Sequence, residues 1–475
     1  MAGSLKTVVQ NRIAFRRDDR QSVLNLVYLL AFLILLPWVV WRRFFGGRPV
    51  AAPWLRLTGN IPPLPDRSAG VRRIWMHGVS VGEVQLLAVL AQEIAKQAAA
   101  TGTVVECVIS SSTITGLELA ARRFGRERTF ACPLDFSWAV NRVLARVSPD
   151  LLVLGELELW PNLLACTHAR GIPIVVANAR MSEQSARGYS RIRPVVRWML
   201  KKVSLVLARS QADADRFMAF GATDVIVTGS MKFDGVNGDR NAPDVVRLKQ
   251  QAGLTATDIV FLAGSTQSPE EQCAIDIFSS LQRSHPSLKL IIVPRHVERC
   301  AEIEQLLIEA QLPWQVRSQL GLDVYDQAPG AVRGGTPPAR VLLVDTTGEL
   351  VWWWGTATIA FVGGSLDGKR GGQNMLEPAA YGAAVSFGPQ TRNFKDEVQR
   401  LLAADAAQIV TDRWALREFV VGCLQEPQRA IDMGQRAAAL VASQRGATAA
   451  TARRVLRKLT DSVLSRGCHD GQQFG

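Results

Sequence analysis

Glu83 stands at the end of the run His77-Gly78-Val79-Ser80-Val81-Gly82-Glu83, where a glycine-containing loop passes into a helical pattern. With an ordinary pKa of about 4.3 this carboxylate is ionised at neutral pH and suited to take a proton from an alcohol. It could equally do no more than complement the positive end of the helix that follows. The same run contains Gly78-x-Ser80-x-Gly82, the spacing of a nucleophile elbow, which makes Ser80 a candidate nucleophile of an α/β hydrolase. Two points oppose that reading. An elbow follows several strands whereas this run follows the first, and no downstream histidine has the context of a base.

Other loops offer further chemistry. Glu156 and Glu158, two apart in Gly155-Glu156-Leu157-Glu158-Leu159-Trp160, could hold a metal or supply a second acid/base group. Lys232, in Gly229-Ser230-Met231-Lys232-Phe233-Asp234, could offset negative charge on a departing phosphate, or be a plain surface lysine. Downstream come Gly264-Ser265-Thr266, Pro294-Arg295-His296 and Asp345-Thr346-Thr347-Gly348-Glu349. Gly363-Gly364-Ser365 then leads to Arg370-Gly371-Gly372-Gln373-Asn374-Met375-Leu376-Glu377-Pro378. Glycines that open a helix expose N–H groups to phosphate, and a glutamate one turn on can accept from ribose hydroxyls. No G-x-x-x-x-G-K-[ST] run occurs, which disfavours a nucleoside triphosphatase, so the arrangement reads as a nucleotide-sugar site. The five histidines and seven scattered cysteines have neither metal-ligand spacing nor a disulfide pattern, so no metal or cofactor is expected and the cysteines read as reduced.

These loops need strands to hold them. Apolar runs at 74–76, 104–109, 150–154, 173–177, 205–208 and 225–228 alternate with helical patterns such as 84–99 and 113–124. A second series follows at 259–263, 288–293, 341–344, 358–362 and 384–387. Such alternation predicts βαβ units around parallel sheets, and 475 residues are enough for two or three domains. The turn-rich stretch 234–243 reads as a linker. The expected architecture is therefore α/β, with two Rossmann-like halves, a cleft between them, and ligands bound beyond the carboxyl ends of the strands. Residues 1–45 form an anchor, 46–235 the first domain and 236–475 the second.

The net charge of +13 would suggest nucleic acid as partner, yet +9 of it lies in residues 1–82, which hold 12 basic and three acidic residues. These flank the apolar run Val23–Trp41, broken only by Asn25 and Pro37. That run is just long enough for a helix across or into a bilayer, and Arg42 and Arg43 fit an uncleaved anchor better than a signal peptide. A buried core helix is the alternative. The charge thus points to an anionic lipid leaflet and away from nucleic acid, because each basic residue near such a surface contributes about 1 kcal/mol.

The segments HGVSVGEV (77–84), ELELWPNLL (156–164), ANARMS (177–182), GSMKFD (229–234), PRH (294–296), DTTGEL (345–350), AFVGGSL (360–366) and GGQNMLEPAAYG (371–382) resemble, in their order, the 3-deoxy-D-manno-octulosonic acid (Kdo) transferases of lipopolysaccharide synthesis. The resemblance runs over essentially the whole chain. It implies a GT-B fold and metal-independent, inverting transfer of Kdo from CMP-Kdo to a lipid A precursor, at the cytoplasmic face of the inner membrane. Carried over, Glu83 resembles the catalytic base, and Glu156 and Lys232 the stabilisers of the transition state. Arg295, His296, Thr347, Gly348, Glu349, Asn374, Met375, Leu376 and Glu377 resemble the CMP-binding segments. Leu157 stands where the family has Thr, Gln373 where it has His, Met375 where it has Pro, and Gln267-Ser268-Pro269 where it has His-Glu-Gly. A third reading, a nucleotide-binding scaffold without catalysis, remains beside the transferase and the hydrolase.

Overall fold

The computed structural model describes residues 24–26, 28–30, 53–236, 238–320, 339–366 and 371–470. The chain divides into two units, one running to Gly235 and resuming at Gly446, the other Val236–Arg445. The first holds β1 (Arg72–His77), β2 (Val105–Ser111), β3 (Thr129–Ala131), β4 (Leu151–Gly155), β5 (Ile174–Ala179), β6 (Leu205–Ala208) and β7 (Val225–Val227). Their order is β3-β2-β1-β4-β5-β6-β7, every pair parallel, with Ile74 opposite both Cys107 and Leu151. Strands covered on both faces must be apolar at every position, which is why these stretches read as continuous runs rather than alternations. Ile74 and Met76 pack with Val84 and Leu87 of the helix Val81–Ala100, while Trp75 joins Val108, Leu152 and Leu154 on the other face.

The second unit holds β8 (Ile259–Thr266), β9 (Leu288–Pro294), β10 (Trp314–Val316), β11 (Val341–Leu343), β12 (Ile359–Val362), β13 (Ala384–Phe387) and β14 (Ala407–Ile409). The order is β10-β11-β9-β8-β12-β13-β14, again all parallel. The winding reverses at β1/β4 in the first sheet and at β8/β12 in the second, where β11 is also inserted between β9 and β10. The crevice beyond the strand ends at such a reversal is where an open α/β sheet takes its ligand.

Every strand expected from the sequence is present with slightly shifted ends. The strands β3, β10 and β14 are additional: each has three residues with a polar one among them (Thr129, Gln315, Gln408), so none forms an apolar run. The second domain expected over 236–475 gives up its last helix. Ala447–Asp470 packs Ala452, Val455 and Leu459 into the core around Ile74, Leu87 and Leu90, so it completes the first unit. Of the anchor expected over Val23–Trp41, only 24–26 and 28–30 are described, and the remainder lies outside the described residues. Among the described residues no helix is long and apolar enough to cross a membrane.

Candidate functional sites

In the first unit β1 and β4 end side by side. A Cβ at Gly78 would lie 3.0 Å from the Glu83 Cβ, so any other residue there would press Glu83 or the loop from β1 aside by a few tenths of an ångström. Ser80 is the N-cap of Val81–Ala100: its Oγ accepts from the Glu83 N–H at 3.3 Å and donates to Glu83 Oε1 at 2.8 Å. Glu83 Oε2 accepts from the Val79 N–H at 2.8 Å. This is a capping box, in which residues three apart close the helix start reciprocally. The carboxylate is thereby held in one orientation. Its pKa is raised above the ordinary carboxylate range, first by burial, against the Val79 and Ser80 hydrogen bonds, with the Glu156 charge pushing the same way. A base whose pKa moves toward neutrality is better matched to proton abstraction.

The hydrolase reading of Ser80 loses its support here, because the partner of Ser80 is Glu83 and not an imidazole. His77, the nearest histidine in sequence, is fully buried with Nδ1 3.0 Å from the Ser110 hydroxyl. Burial lowers its pKa to about 4, so it is neutral.

Glu156 follows β4 with φ +54°, a left-handed conformation rare for glutamate, and its N–H donates to Ala177 O at 2.9 Å. Asn178 at the end of β5 (φ +53°) and Ser265 at the end of β8 (φ +55°) share that conformation. Backbone strain of this kind concentrates at functional sites. Lys232 lies in the turn Met231–Phe233 after β7. The turn is pinned on one side by the Met231 N–H donating to Asn178 Oδ1 at 3.0 Å, and on the other by Asp234, which accepts the Gly446 and Thr448 N–H groups at the start of the last helix.

Glu158, the second carboxylate of the pair that could hold a metal or act as acid/base, receives no role from the family resemblance. Trp160 Nε1 donates to it at 2.9 Å, and its pKa rises to about 7 through burial and the negative charges of Glu83 and Glu156. A carboxyl raised on folding contributes stability that is fully present below the ordinary value and lost as pH rises through about 7. Glu158→Gln is therefore expected to melt higher than the parent at pH 8, with the difference shrinking toward pH 5. A constant difference across that range, measured by thermal melts, would refute the coupling.

In the second unit the loops after β8 and β12 are tied together by Glu270, which sequence reasoning missed. Its Oε2 accepts from the Gln267 N–H at 2.9 Å and the Gly364 N–H at 2.7 Å, and its Oε1 from the Ser365 N–H at 3.0 Å and the Leu366 N–H at 3.1 Å. Beside this knot lies a cavity of about 260 Å³ lined by Ser265, Arg295, Gly348, Trp354, Asn374 and Glu377, among others. Glu377 is oriented by Asn374 Nδ2, donating to Oε1 at 3.0 Å, and by Trp354 Nε1, donating to Oε2 at 3.2 Å. Burial raises its pKa, against those two hydrogen bonds and the Arg295 charge. The Trp354 ring also explains Gly264, where a Cβ would meet it at 2.5 Å.

The remaining expected nucleotide residues separate. Arg295 and Gly348 line the cavity, whereas Thr347 and His296 are exposed and do not line it. Glu349 is engaged elsewhere: Arg317 grips both its oxygens at 2.9 Å and Thr346 Oγ1 donates at 2.7 Å, which holds its carboxyl below the ordinary range even though burial opposes this. Met375 and Leu376 are fully buried core residues, so their side chains face the interior and not a ligand. The phosphate cradle expected at Gly371 and Gly372 is also altered, because the Gly372 N–H is taken by Gly364 O at 2.9 Å and the helix that follows, Leu376–Ala380, has only five residues. Arg370 lies outside the described residues. Gln267 Nε2 and Gln373 Nε2, two positions that depart from the family pattern, approach the same side of Gly364, 3.1 and 3.3 Å from where its Cβ would be. Among the described residues no cluster of His, Cys, Asp and Glu could hold a metal ion.

Comparison with known proteins adds to this geometry. A family model described as 3-deoxy-D-manno-octulosonic-acid transferase (kdotransferase) matches residues 54–235. A 3-deoxy-D-manno-octulosonic acid transferase of Bordetella pertussis is 32% identical over 455 residues, covering 92% of this chain and 98% of the relative. One from Haemophilus influenzae is 30% identical over 379 residues, covering 79% and 84%. Among solved structures, the UDP-GlcNAc 2-epimerase from Neisseria meningitidis bound to UDP-GlcNAc superposes with a TM-score of 0.53 at 13% identity, over 81% of this chain and 100% of that one. That likeness concerns the fold alone, which is GT-B-like.

Proposed function

We propose that this chain, which belongs to the 3-deoxy-D-manno-octulosonic acid (Kdo) transferases and is thus a glycosyltransferase, moves Kdo from CMP-Kdo with inversion onto a lipid A precursor of the tetraacyldisaccharide bisphosphate type, releasing CMP. The observation that carries the reading is Glu83: a half-buried carboxylate of raised pKa, fixed by its capping box at the β1/β4 reversal. In the mechanism, Glu83 removes the proton from a glucosamine hydroxyl as that oxygen bonds to the anomeric carbon of Kdo. The bond from that carbon to the CMP phosphate oxygen breaks with its electron pair, and CMP departs from the opposite face. Glu156 and Lys232 stabilise charge that shifts during this displacement, an effect worth most where it is realised only in the transition state.

On the donor side, Glu377, oriented by Asn374 and Trp354, accepts from ribose hydroxyls, and Arg295 faces the phosphate. The apolar segment at the N-terminus and the basic residues around it hold the enzyme at the anionic cytoplasmic leaflet of the inner membrane, where a phosphorylated lipid acceptor is found. Incubating the full chain with CMP-Kdo and the precursor, followed by mass spectrometry of the lipid, is expected to show the acceptor heavier by Kdo. An unmodified acceptor after full consumption of CMP-Kdo would contradict the proposal.

A further inference from the structure

We propose that Asp135 is a positioning residue for the Glu156–Trp160 loop, and that Asn25 and Tyr28 complete its hold, so that these two residues of the N-terminal apolar segment are a working part of the first unit's site. The inference rests on the transfer reading above for its kinetic consequence, and on geometry for the contact itself.

The helix Pro161–Ala169 begins immediately after the loop that carries Glu156 and Glu158. Its N-cap, Trp160, has no side-chain acceptor, and Pro161 has no N–H. The next two N–H groups, of Asn162 and Leu163, both donate to Asp135, at 2.9 Å to Oδ2 and 2.8 Å to Oδ1. The Asn162 side chain adds a hydrogen bond to Asp135 O at 2.5 Å. A carboxylate from the segment after β3 therefore does the capping that the local sequence cannot, and it fixes the downstream end of the loop.

Tyr28 donates its hydroxyl to Asp135 Oδ2 at 3.0 Å and sets its ring edge-on to Phe136, centroids 6.0 Å apart. Asn25 bonds twice to Ser137, Nδ2 donating to Oγ at 2.7 Å and Oδ1 accepting from N–H at 3.1 Å. The same Oδ1 accepts from Asn162 Nδ2 at 3.2 Å. Ser137 opens the helix Ser137–Val147, whose N-cap Phe136 also lacks a side-chain acceptor. Asn25 thus caps one helix while Tyr28 shares the carboxylate that caps the other. Asn25, the polar residue that interrupts the apolar run, and the Tyr28 hydroxyl are the groups bonded into the body of the unit. In a helix facing lipid all round, the Asn25 amide and the Tyr28 hydroxyl would be costly without partners, and here their partners are Ser137, Asn162 and Asp135 of the first unit. Burial raises the Asp135 carboxyl to about 6, against the Asn162 and Leu163 N–H groups and Tyr28, consistent with a carboxylate enclosed by these contacts.

The test uses the full chain in detergent micelles and three variants, Tyr28→Phe, Asp135→Asn and the double variant. Hydrogen–deuterium exchange over residues 156–165 is expected to quicken about tenfold in Tyr28→Phe, with the second unit unchanged. In the transfer assay kcat is expected to fall about fivefold in Tyr28→Phe with KM for CMP-Kdo unaltered. The double variant is expected to be no slower than Asp135→Asn alone, because the hydroxyl removed from position 28 has no carboxylate left to hold. Unchanged exchange in Tyr28→Phe would overturn the contact. Parental kcat with quickened exchange, or a loss confined to membrane recovery, would overturn the positioning role. A parent chain that transfers no Kdo would refute the functional reading, and the exchange experiment would still decide the contact of Tyr28 with Asp135.

Discussion

Replacing Glu83 with Gln is expected to lower transfer turnover by about 10²- to 10⁴-fold, the range over which a positioned general base acts. Gln has nearly the same shape, and its carbonyl can still accept from Val79. Ser80 Oγ, now facing an amide N–H, can turn to accept. The helix start should survive, so the variant should melt close to the parent and bind CMP as before, since the candidate CMP residues all belong to the second unit. What is lost is basicity at one oxygen. Parental turnover in a folded Glu83→Gln protein would remove Glu83 from the mechanism.

Glu270→Gln is expected to act on stability and nucleotide binding together. Each carboxylate oxygen accepts two backbone N–H groups, so a Gln side chain in either flip turns an NH₂ toward a pair of donors. Two buried N–H groups then lose their acceptor, at about 1 to 3 kcal/mol each. A total near 3 kcal/mol in a unit of this size lowers the melting temperature by about 6 to 12 °C. CMP affinity should fall as well, because the loops after β8 and β12 are no longer tied together beside the cavity. Calorimetric melting with and without CMP reads both effects, and a variant that melts and binds like the parent would show that the knot does not organise the site.

The parallel sheets were legible because strands buried on both faces leave uninterrupted apolar runs such as Ile74–Met76 and Leu288–Val293. The strands β3, β10 and β14 left no such trace, since Thr129, Gln315 and Gln408 interrupt their three residues, whereas the equally short β7 and β11 are wholly apolar. Glu83 was legible as a carboxylate three residues after a serine at a helix start, which is a local signal. Glu270 was not: its four partners come from its own loop and from residues 364–366, and no spacing in sequence encodes that closure. Conversely, adjacency in sequence overstated the nucleotide segment. Asn374 and Glu377 line the cavity three residues apart, while Met375 and Leu376 between them turn inward, as helical geometry requires of neighbours. Asn25 and Tyr28, of which only Asn25 interrupts the apolar run, and the returning helix Ala447–Asp470 carry no local signal of their contacts. Both reveal their role only through contacts made more than 100 residues away along the chain.

In the proposed reaction Kdo is joined to a lipid through proton removal by Glu83. The most direct test is to quantify CMP release and acceptor mass in one reaction, with and without the lipid A precursor. CMP release is expected to depend on acceptor, to equal the Kdo gained by the lipid, and to fall about 10²- to 10⁴-fold in Glu83→Gln. CMP released at the same rate without acceptor, with no Kdo on the lipid, would contradict the proposal.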